Sequence, residues 1–535
     1  MKIKLFGAAR EVTGSCSVIE TNGRRFAIDC GMHQGGAESD KRNIQVDIYD
    51  PSGIDFFIIT HAHIDHSGLL PRLVKNGFRG PVYTTAPTRE LLNIMLLDSA
   101  HVQEMESQWR SVKRQRHGEG PVTPLYTLKD ARDALPLIKD VSYDSPFSPF
   151  PGVSFILRDA GHILGAALVE LTIEEEGKTM TLLFSGDIGR PAQLLVRDPS
   201  KVNCADFLFL ESTYGERNHK NEDESLAELA EAIDYSYRRG EKVIIPAFAV
   251  ERTQEMIYSL YLLDKAGRMP KDMPVYVDSP MAIKATEVFQ RYHEYFDEQT
   301  ATILKNGENP LKFRQLHFTE TREESVAINN RKGPAVVISA SGMADAGRIK
   351  HHLRHNLWRP GASVVFVGFQ AKGTTGRRIV DGAKRVNILG EEVAVLARVF
   401  TINGFSGHAG QQQLLDWLGN FNSPHLQVFL VHGEYSGQQV LADLIRKKYG
   451  WRVHIPEYLE EIILRPGEVT CAVPGAIADE LIDWGAVLED LYHETARLRG
   501  RKAVLEGKTM TEQLQLRDRV LEAKRKLAEA IAEMQ

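Results

Sequence analysis

The chain has 535 residues, 43% of them hydrophobic, a formal net charge of -6 and four cysteines. At roughly 150 residues per domain this length predicts two to four domains, and no apolar run nears the roughly 20 residues that would span a bilayer. The N-terminus MKIKLFGAAR lacks the apolar region and cleavage site of a signal peptide, and the acidic balance excludes a globally basic nucleic-acid surface. Cys16, Cys30, Cys204 and Cys471 show no CxxC pairing, so the expectation is a cytoplasmic protein with no membrane contact and with its cysteines buried as small apolar residues.

Short apolar strands recur along the chain, and several stop at a residue able to do chemistry. Residues 25–28 end at Asp29. Residues 54–60 (IDFFIIT) read as a buried strand that delivers His61, His63, Asp65 and His66, the metal-ligand types of the segment HAHIDH. The basic run 110–117 (RSVKRQRH) reads as a solvated helix face, with RNA contact as the alternative. Residues 154–157 lead to the glycine-flanked turn that holds His162, residues 180–184 to Asp187, and residues 207–210 to Glu211. From there to residue 394, strands and helices alternate as in an inserted α/β domain. Residues 221–239 form its first predicted helix, with Gly240 as the stop.

Two glycine-rich segments interrupt that alternation. Residues 339–343 (SASGM) with Gly347 and Arg348, and residues 370–378 (QAKGTTGRR), could cradle phosphate on backbone N–H groups and guanidinium. Ser339, Ser341, Gly342, Arg348, Gly373, Thr374, Gly376 and Arg377 are the predicted phosphate holders, while His351 and His352 belong to the helix that follows. Residues 426–431 form a strand ending at His432, and residues 476–535, rich in Glu, Lys, Arg, Leu and Ala, read as long helices. Those helices could pack on their own subunit or mediate self-association, so a homodimer is left open.

Imidazole and carboxylate donors without Cys suit a catalytic zinc site better than a closed structural one. Four ligands cannot complete two coordination shells and leave room for water, so others must come from elsewhere; His162, Asp187 and His432 stand out. If the strands lie in packed sheets, their polar ends can meet on one rim.

With those residues in that order, the chain resembles the metallo-β-lactamase superfamily: HAHIDH matches its HxHxDH motif, His162 and Asp187 its later ligands, and Asp29 its early acidic residue. The resemblance implies two Zn2+ per chain. One would be held by His61, His63 and His162, the other by Asp65, His66 and His432, with Asp187 bridging and Asp29 orienting ligands from behind. The segments Glu211-Ser-Thr-Tyr-Gly, Phe405-Ser-Gly-His408 and Val431-His432-Gly-Glu434 resemble motifs A, B and C of the β-CASP nucleases, a group that includes RNase J and the pre-mRNA 3′-end cleavage endonuclease. A histidine at the third motif tilts the reading toward RNA.

The fold so implied is α/β. A metallo-β-lactamase αββα sandwich over residues 1–212 and 395–465 would carry an α/β β-CASP insertion over 213–394 and a helical extension over 466–535. The implied activity is zinc-dependent hydrolysis of single-stranded RNA by a hydroxide activated between two metals. Asp65, Asp187, Glu211 and His408 would be the catalytic residues, with His408 as general acid for the leaving 3′-oxygen and Glu211 fixing its tautomer. Products would carry 5′-phosphate and 3′-hydroxyl ends; cleavage would be endonucleolytic, with a 5′-to-3′ exonuclease mode left open. With no RNA-binding module expected ahead of Met1, unlike archaeal relatives, RNA selection would rest on the cleft and the tail. A thioester or lactam hydrolase would not need Glu211, His408 or the insertion, and a non-catalytic RNA-binding scaffold would be expected to lose ligands that are all present.

Overall fold

The computed structural model describes residues 1–116, 118–368, 370, 373–465 and 468–472, and in the last segment Thr495, Gln513, Leu516, Arg517, Val520, Leu521, Ala523 and Lys524. Residues 1–473 form one compact unit and residues 474–535 a second. The described residues of the second unit are helical. The expected start of the helical extension at 466 is corrected, because residues 468–472 form the strand Glu468–Ala472 paired with Glu461–Arg465; the remaining residues of the extension, with His117 of the basic run and Ala371 and Lys372 of the second glycine segment, lie outside the described residues.

The first unit is built on two facing sheets. One runs, edge to edge, Glu468–Ala472, Glu461–Arg465, Lys2–Leu5, Ser17–Thr21, Arg24–Ile28, Phe56–Ile58, Val82–Thr84 and Ile138–Asp140. The other runs Arg452–His454, Gln427–Val431, Phe207–Glu211, Lys178–Phe184, Ala167–Glu175, Val153–Asp159 and Phe147–Phe150. Alternate residues of both sheets, among them Ile3, Phe26, Phe56, Leu171, Phe184 and Phe209, share one buried core, as the period of two along a strand dictates. Phe184, Phe209 and Phe429 stack across three neighbouring strands at 4.5 and 4.7 Å.

Strand direction decides where the chemistry falls. Lys178–Phe184, Phe207–Glu211 and Gln427–Val431 are parallel neighbours, so Asp187, Glu211 and His432 emerge from the same edge. Arg24–Ile28 and Phe56–Ile58 are also parallel, which puts Asp29 beside Thr60 and His61. The Ala167 N–H donates to the Thr60 carbonyl at 2.8 Å and ties the two rims together.

A third sheet, Leu316–Phe318, Val275–Val277, Ala335–Ser339, Lys242–Pro246, Ser363–Phe366 and Arg398–Thr401, is parallel throughout. It has its own core around Ile244, Val337, Leu353, Val364 and Phe366. Its last strand lies beyond residue 394, the expected end of the insertion: Arg398–Thr401 completes the sheet by pairing with Ser363–Phe366, so the return to the sandwich comes after Thr401. Helix Glu222–Tyr237 is capped by the Asn221 side chain, which accepts the Glu224 N–H at 2.8 Å, a favoured N-cap contact. Among the described residues no helix is long and apolar enough to cross a membrane.

Candidate metal centre

The HAHIDH segment is shaped by the strand that precedes it and by Asp29. Asp29 adopts φ 61°; its Oδ1 accepts the Thr60 N–H at 2.8 Å, and its Oδ2 accepts the Thr60 hydroxyl at 2.9 Å and faces His66 Nδ1 at 2.7 Å. A carboxylate at Nδ1 leaves Nε2 of His66 directed into the cluster. The segment then turns through the short helix Ile64–Ser67 and folds back on residues 15–31. Gly31 is required there: a Cβ on it would meet the Asp65 carbonyl oxygen at 1.7 Å.

The predicted ligands form two adjoining donor groups. His61, His63, His162 and Asp187 make one, and Asp65, His66 and His432 the other, with the ligand atoms of each group within 4.8 Å of one another. His61 Nε2 lies 3.1 Å and His162 Nε2 3.3 Å from His63 Nδ1. Asp187 faces both groups. Its Oδ2 is 3.4 Å from His61 Nε2 and 3.7 Å from His162 Nε2, and its Oδ1 is 3.3 Å from His66 Nε2 and 3.5 Å from His432 Nδ1. Asp65 Oδ2 is 3.6 Å from His432 Nε2. Two donors at about 2.0–2.1 Å from a common tetrahedral ion lie roughly 3.3 Å apart, so these spacings suit coordination, save that of Asp187 to His432 Nδ1, since His432 offers the cluster its Nε2.

Hydrogen bonding and ionisation agree with that use. Asp187 Oδ1 and His432 Nε2 are buried without a hydrogen-bond partner, a costly state that a shared cation would relieve. Burial pushes His61 down to about 3 and His63 down to about 4, and it also holds His162 well below the usual imidazole range; each therefore offers a lone pair. Burial works to raise Asp65, but the His432 ring beside it and the His66 and His63 imidazoles overcome this and keep it ionised. His162 Nδ1 lies 3.0 Å from the Gly407 carbonyl, which can only accept, so Nδ1 carries the proton and Nε2 is the free donor atom.

Beside the cluster stands His408. Its Nδ1 lies 3.2 Å from Glu211 Oε1 and 3.9 Å from Asp187 Oδ2. Glu211 is fully buried and pinned by the N–H groups of Ile188 at 2.8 Å and Thr213 at 3.2 Å, whereas the His408 side chain is 21% exposed. Burial tends to lower His408, yet the Glu211 and Asp187 carboxylates dominate and raise it to about 9. With Nδ1–H on Glu211, Nε2–H is the proton left to donate. His408 precedes the helix Gln411–Leu418 without being part of it.

The glycine segments meet as well, though not every predicted phosphate holder is available. The Gly376 N–H donates to the Met343 carbonyl at 3.0 Å and the Gln370 amide to the Gly342 carbonyl at 3.1 Å. Ser341 is partly buried, Gly373 is open on its Cβ side, and Thr374 caps the helix Thr375–Val380. Two expectations are corrected. Ser339 is buried with its hydroxyl on the Asp278 carbonyl at 2.8 Å, since it still lies in the strand and faces inward. Arg348 is held by the buried Asp278 at 2.7 Å and by the carbonyls of Thr319 and Glu320, so it braces the insertion. Arg377 lies on Asp381 at 3.0 Å. His352 is on the helix Ile349–Asn356 and also contacts Asp278, at 2.6 Å.

Sequence reasoning missed three positioning groups. Thr60 touches Asp29 and also His61 Nδ1 at 3.0 Å, and the Thr213 hydroxyl faces His432 Nδ1 at 3.0 Å; both sit inside or beside the motifs and were open to notice. Gln193, which donates to the His162 carbonyl at 3.0 Å, carries no such signal. A third donor trio, His454, Glu460 and Cys471, differs in kind: His454 Nε2 and Glu460 Oε1 are 2.5 Å apart, a hydrogen bond too short for two ligands of one ion. Cys16 and Cys30 are buried as expected, but Cys204 and Cys471 are exposed, the latter because it lies on an edge strand.

Comparison with known proteins agrees with this architecture. Residues 9–229 match the metallo-beta-lactamase superfamily, 253–379 the Beta-Casp domain and 392–456 the Zn-dependent metallo-hydrolase RNA specificity domain. The chain is 39% identical to ribonuclease TTHA0252 of Thermus thermophilus over 445 residues, covering 83% of this chain and 96% of that one. It is 32% identical to the transcription termination factor FttA of Pyrococcus abyssi over 484 residues (87% of this chain, 72% of the relative), and 30% identical to FttA of Methanocaldococcus jannaschii over 471 residues (86% and 71%). The chain belongs to the β-CASP family of metal-dependent hydrolases built on the metallo-β-lactamase fold.

Proposed function

We propose that this hydrolase is a zinc-dependent ribonuclease that cuts RNA phosphodiester bonds in RNA processing or decay and leaves 5′-phosphate and 3′-hydroxyl ends. The observation that carries the reading is the buried Glu211 holding a part-exposed His408 at the rim of the donor cluster. A thioester or lactam has no need of that pair, whereas a ribose 3′-oxygen is a poor leaving group that needs a proton. The relatives named as a ribonuclease and as transcription termination factors support RNA as the substrate.

His61, His63 and His162 would hold one zinc ion, Asp65, His66 and His432 the other, and Asp187 would serve both. Bound zinc would supply positive charge for the phosphate and a water of lowered pKa. The residues of the chain do the rest. Asp29 and Thr60 hold the imidazoles of His66 and His61 in line, and Glu211 keeps His408 charged and turned so that its Nε2–H meets the departing 3′-oxygen. As the bond from phosphorus to that oxygen breaks, the Nε2 proton passes to it, and the neutral imidazole recovers a proton from solvent. Single-stranded RNA would lie along the line from Gly342 and Thr374 to His408. The loop 247–251 spans this path, with the Phe248 ring against Gly342 and the Glu251 carboxylate against Gly407.

The test is digestion of end-labelled RNAs that carry 5′-triphosphate, 5′-phosphate or 5′-hydroxyl ends. Internal products regardless of the 5′ end indicate endonuclease action, and mononucleotides released only from 5′-phosphate RNA indicate the 5′-to-3′ mode. Hydrolysis of thioesters with every RNA left intact would sink the proposal.

A further inference from the structure

Behind His162 and His408 lies a cluster of buried charges that the chemistry above does not use. Arg190, two residues after the Ile188 that pins Glu211, donates to Glu255 Oε1 at 2.8 Å. Arg252 contacts the same carboxylate and lies 3.2 Å from Glu251 Oε2. All four side chains are at most 8% exposed. Arg252 and Glu255 open the helix Arg252–Lys265, which follows the insertion strand Lys242–Pro246, while Arg190 belongs to the segment that carries Asp187. The cluster therefore joins the insertion to the metal-bearing rim.

Its output is a single amide. Gln193 Nε2 donates to the His162 carbonyl at 3.0 Å and to Glu251 Oε1 at 3.4 Å. His162 in turn donates from Nδ1 to the Gly407 carbonyl at 3.0 Å, one residue before the proposed acid. Gly407 is packed so tightly that a Cβ on it would lie 3.0 Å from Glu251 Oε1 and 3.1 Å from the His162 ring. Glu251 is itself held at φ 73°, ψ -65°, an unfavourable conformation for a side-chain-bearing residue that persists only where its surroundings enforce it. From the other side, the Ala409 N–H donates to the Ile188 carbonyl at 2.8 Å. A balanced set of two arginines and two glutamates is a poor source of stability compared with apolar packing, but it is directional, and its direction here is toward one loop.

We propose that Gln193, anchored by the buried Arg190–Glu255–Arg252–Glu251 cluster, is a positioning residue through which the inserted domain sets the place of His408 by way of His162 and Gly407. It touches neither substrate nor reacting atoms; its effect is on the distance between the acid and the leaving oxygen. The inference rests on the ribonuclease reading, because only a poor leaving group exposes a misplaced acid.

Gln193→Ala removes the amide, and Gln193→Met fills the same space without donors. Each is compared with wild type on an RNA oligonucleotide and on bis(p-nitrophenyl) phosphate, whose nitrophenolate leaves without a proton, alongside zinc content and thermal melting. On RNA, kcat is expected to fall about tenfold or more with KM unchanged, zinc content to stay at the wild-type value, and turnover of the nitrophenyl ester to stay close to wild type. RNA turnover at the wild-type rate in either folded variant, or equal losses on both substrates, overturns the positioning role while leaving the ribonuclease reading intact. Wild-type protein that turns over the ester but not RNA overturns the ribonuclease reading and this inference with it.

Discussion

Asp187 is the residue on which the donor cluster turns, because each of its oxygens faces a different set of imidazoles. Asp187→Ala should therefore remove zinc from both groups, read as metal per chain by elemental analysis, and abolish cleavage. Asp29→Asn removes the negative charge behind His66 and the Thr60 hydroxyl, so metal affinity should drop by about 10–100-fold while the fold persists; a competitive chelator titration measures it. His408→Ala should keep its zinc and lose about 10²–10⁴-fold in RNA turnover. The pH dependence follows from the same group. His408 is raised from an ordinary 6.5 to about 9 by Glu211 and Asp187 against the effect of burial, so its acid form persists to about pH 9 and RNA turnover should decline above that. Cations in the neighbouring cluster oppose the imidazolium, which places the basic limb of the zinc-loaded protein at or below that value. By the same sign, the stability contributed by the His408–Glu211 pair is complete below pH 6.5 and lost as pH rises through about 9.

At the scale of elements, parallel strands explain why the site assembles. Three neighbours in one sheet share a C-terminal edge, so Asp187, Glu211 and His432 arrive together although they are far apart in the chain. Much of this was legible in sequence because a buried strand is a short apolar run, and a polar residue at its end is conspicuous. Other parts were not legible. Whether the Ser339 hydroxyl faces in or out depends on where the strand stops, which a Ser-Ala-Ser-Gly run does not disclose. The pairing of Arg348 with Asp278, 70 residues away, has no local signature, and neither has the last strand of the insertion, whose partner Ser363–Phe366 lies across a long connection. Arg348→Ala should accordingly cost about 1–3 kcal/mol of stability by taking a charged donor from the buried Asp278 carboxylate, seen in denaturant unfolding, with the salt dependence of RNA binding unchanged. A phosphate contact would instead lower the slope of log K against log salt by about one.

Over the whole molecule, the sandwich holds the donor cluster, and the insertion meets it beside His162 and Gly407 through Glu251, and also along the helix Ala86–Gln115, where Arg291 reaches Glu90 at 3.0 Å. The charge of -6 makes any grip on RNA a local concentration of positive charge. The most direct test of the account is cleavage of a labelled single-stranded RNA by the zinc-loaded protein and by Asp187→Ala, with the product ends identified. Metal-dependent cleavage with His408 as the acid predicts 5′-phosphate and 3′-hydroxyl ends from the wild type and no products from the variant. Cyclic 2′,3′-phosphate ends, or undiminished cutting by Asp187→Ala, would contradict it.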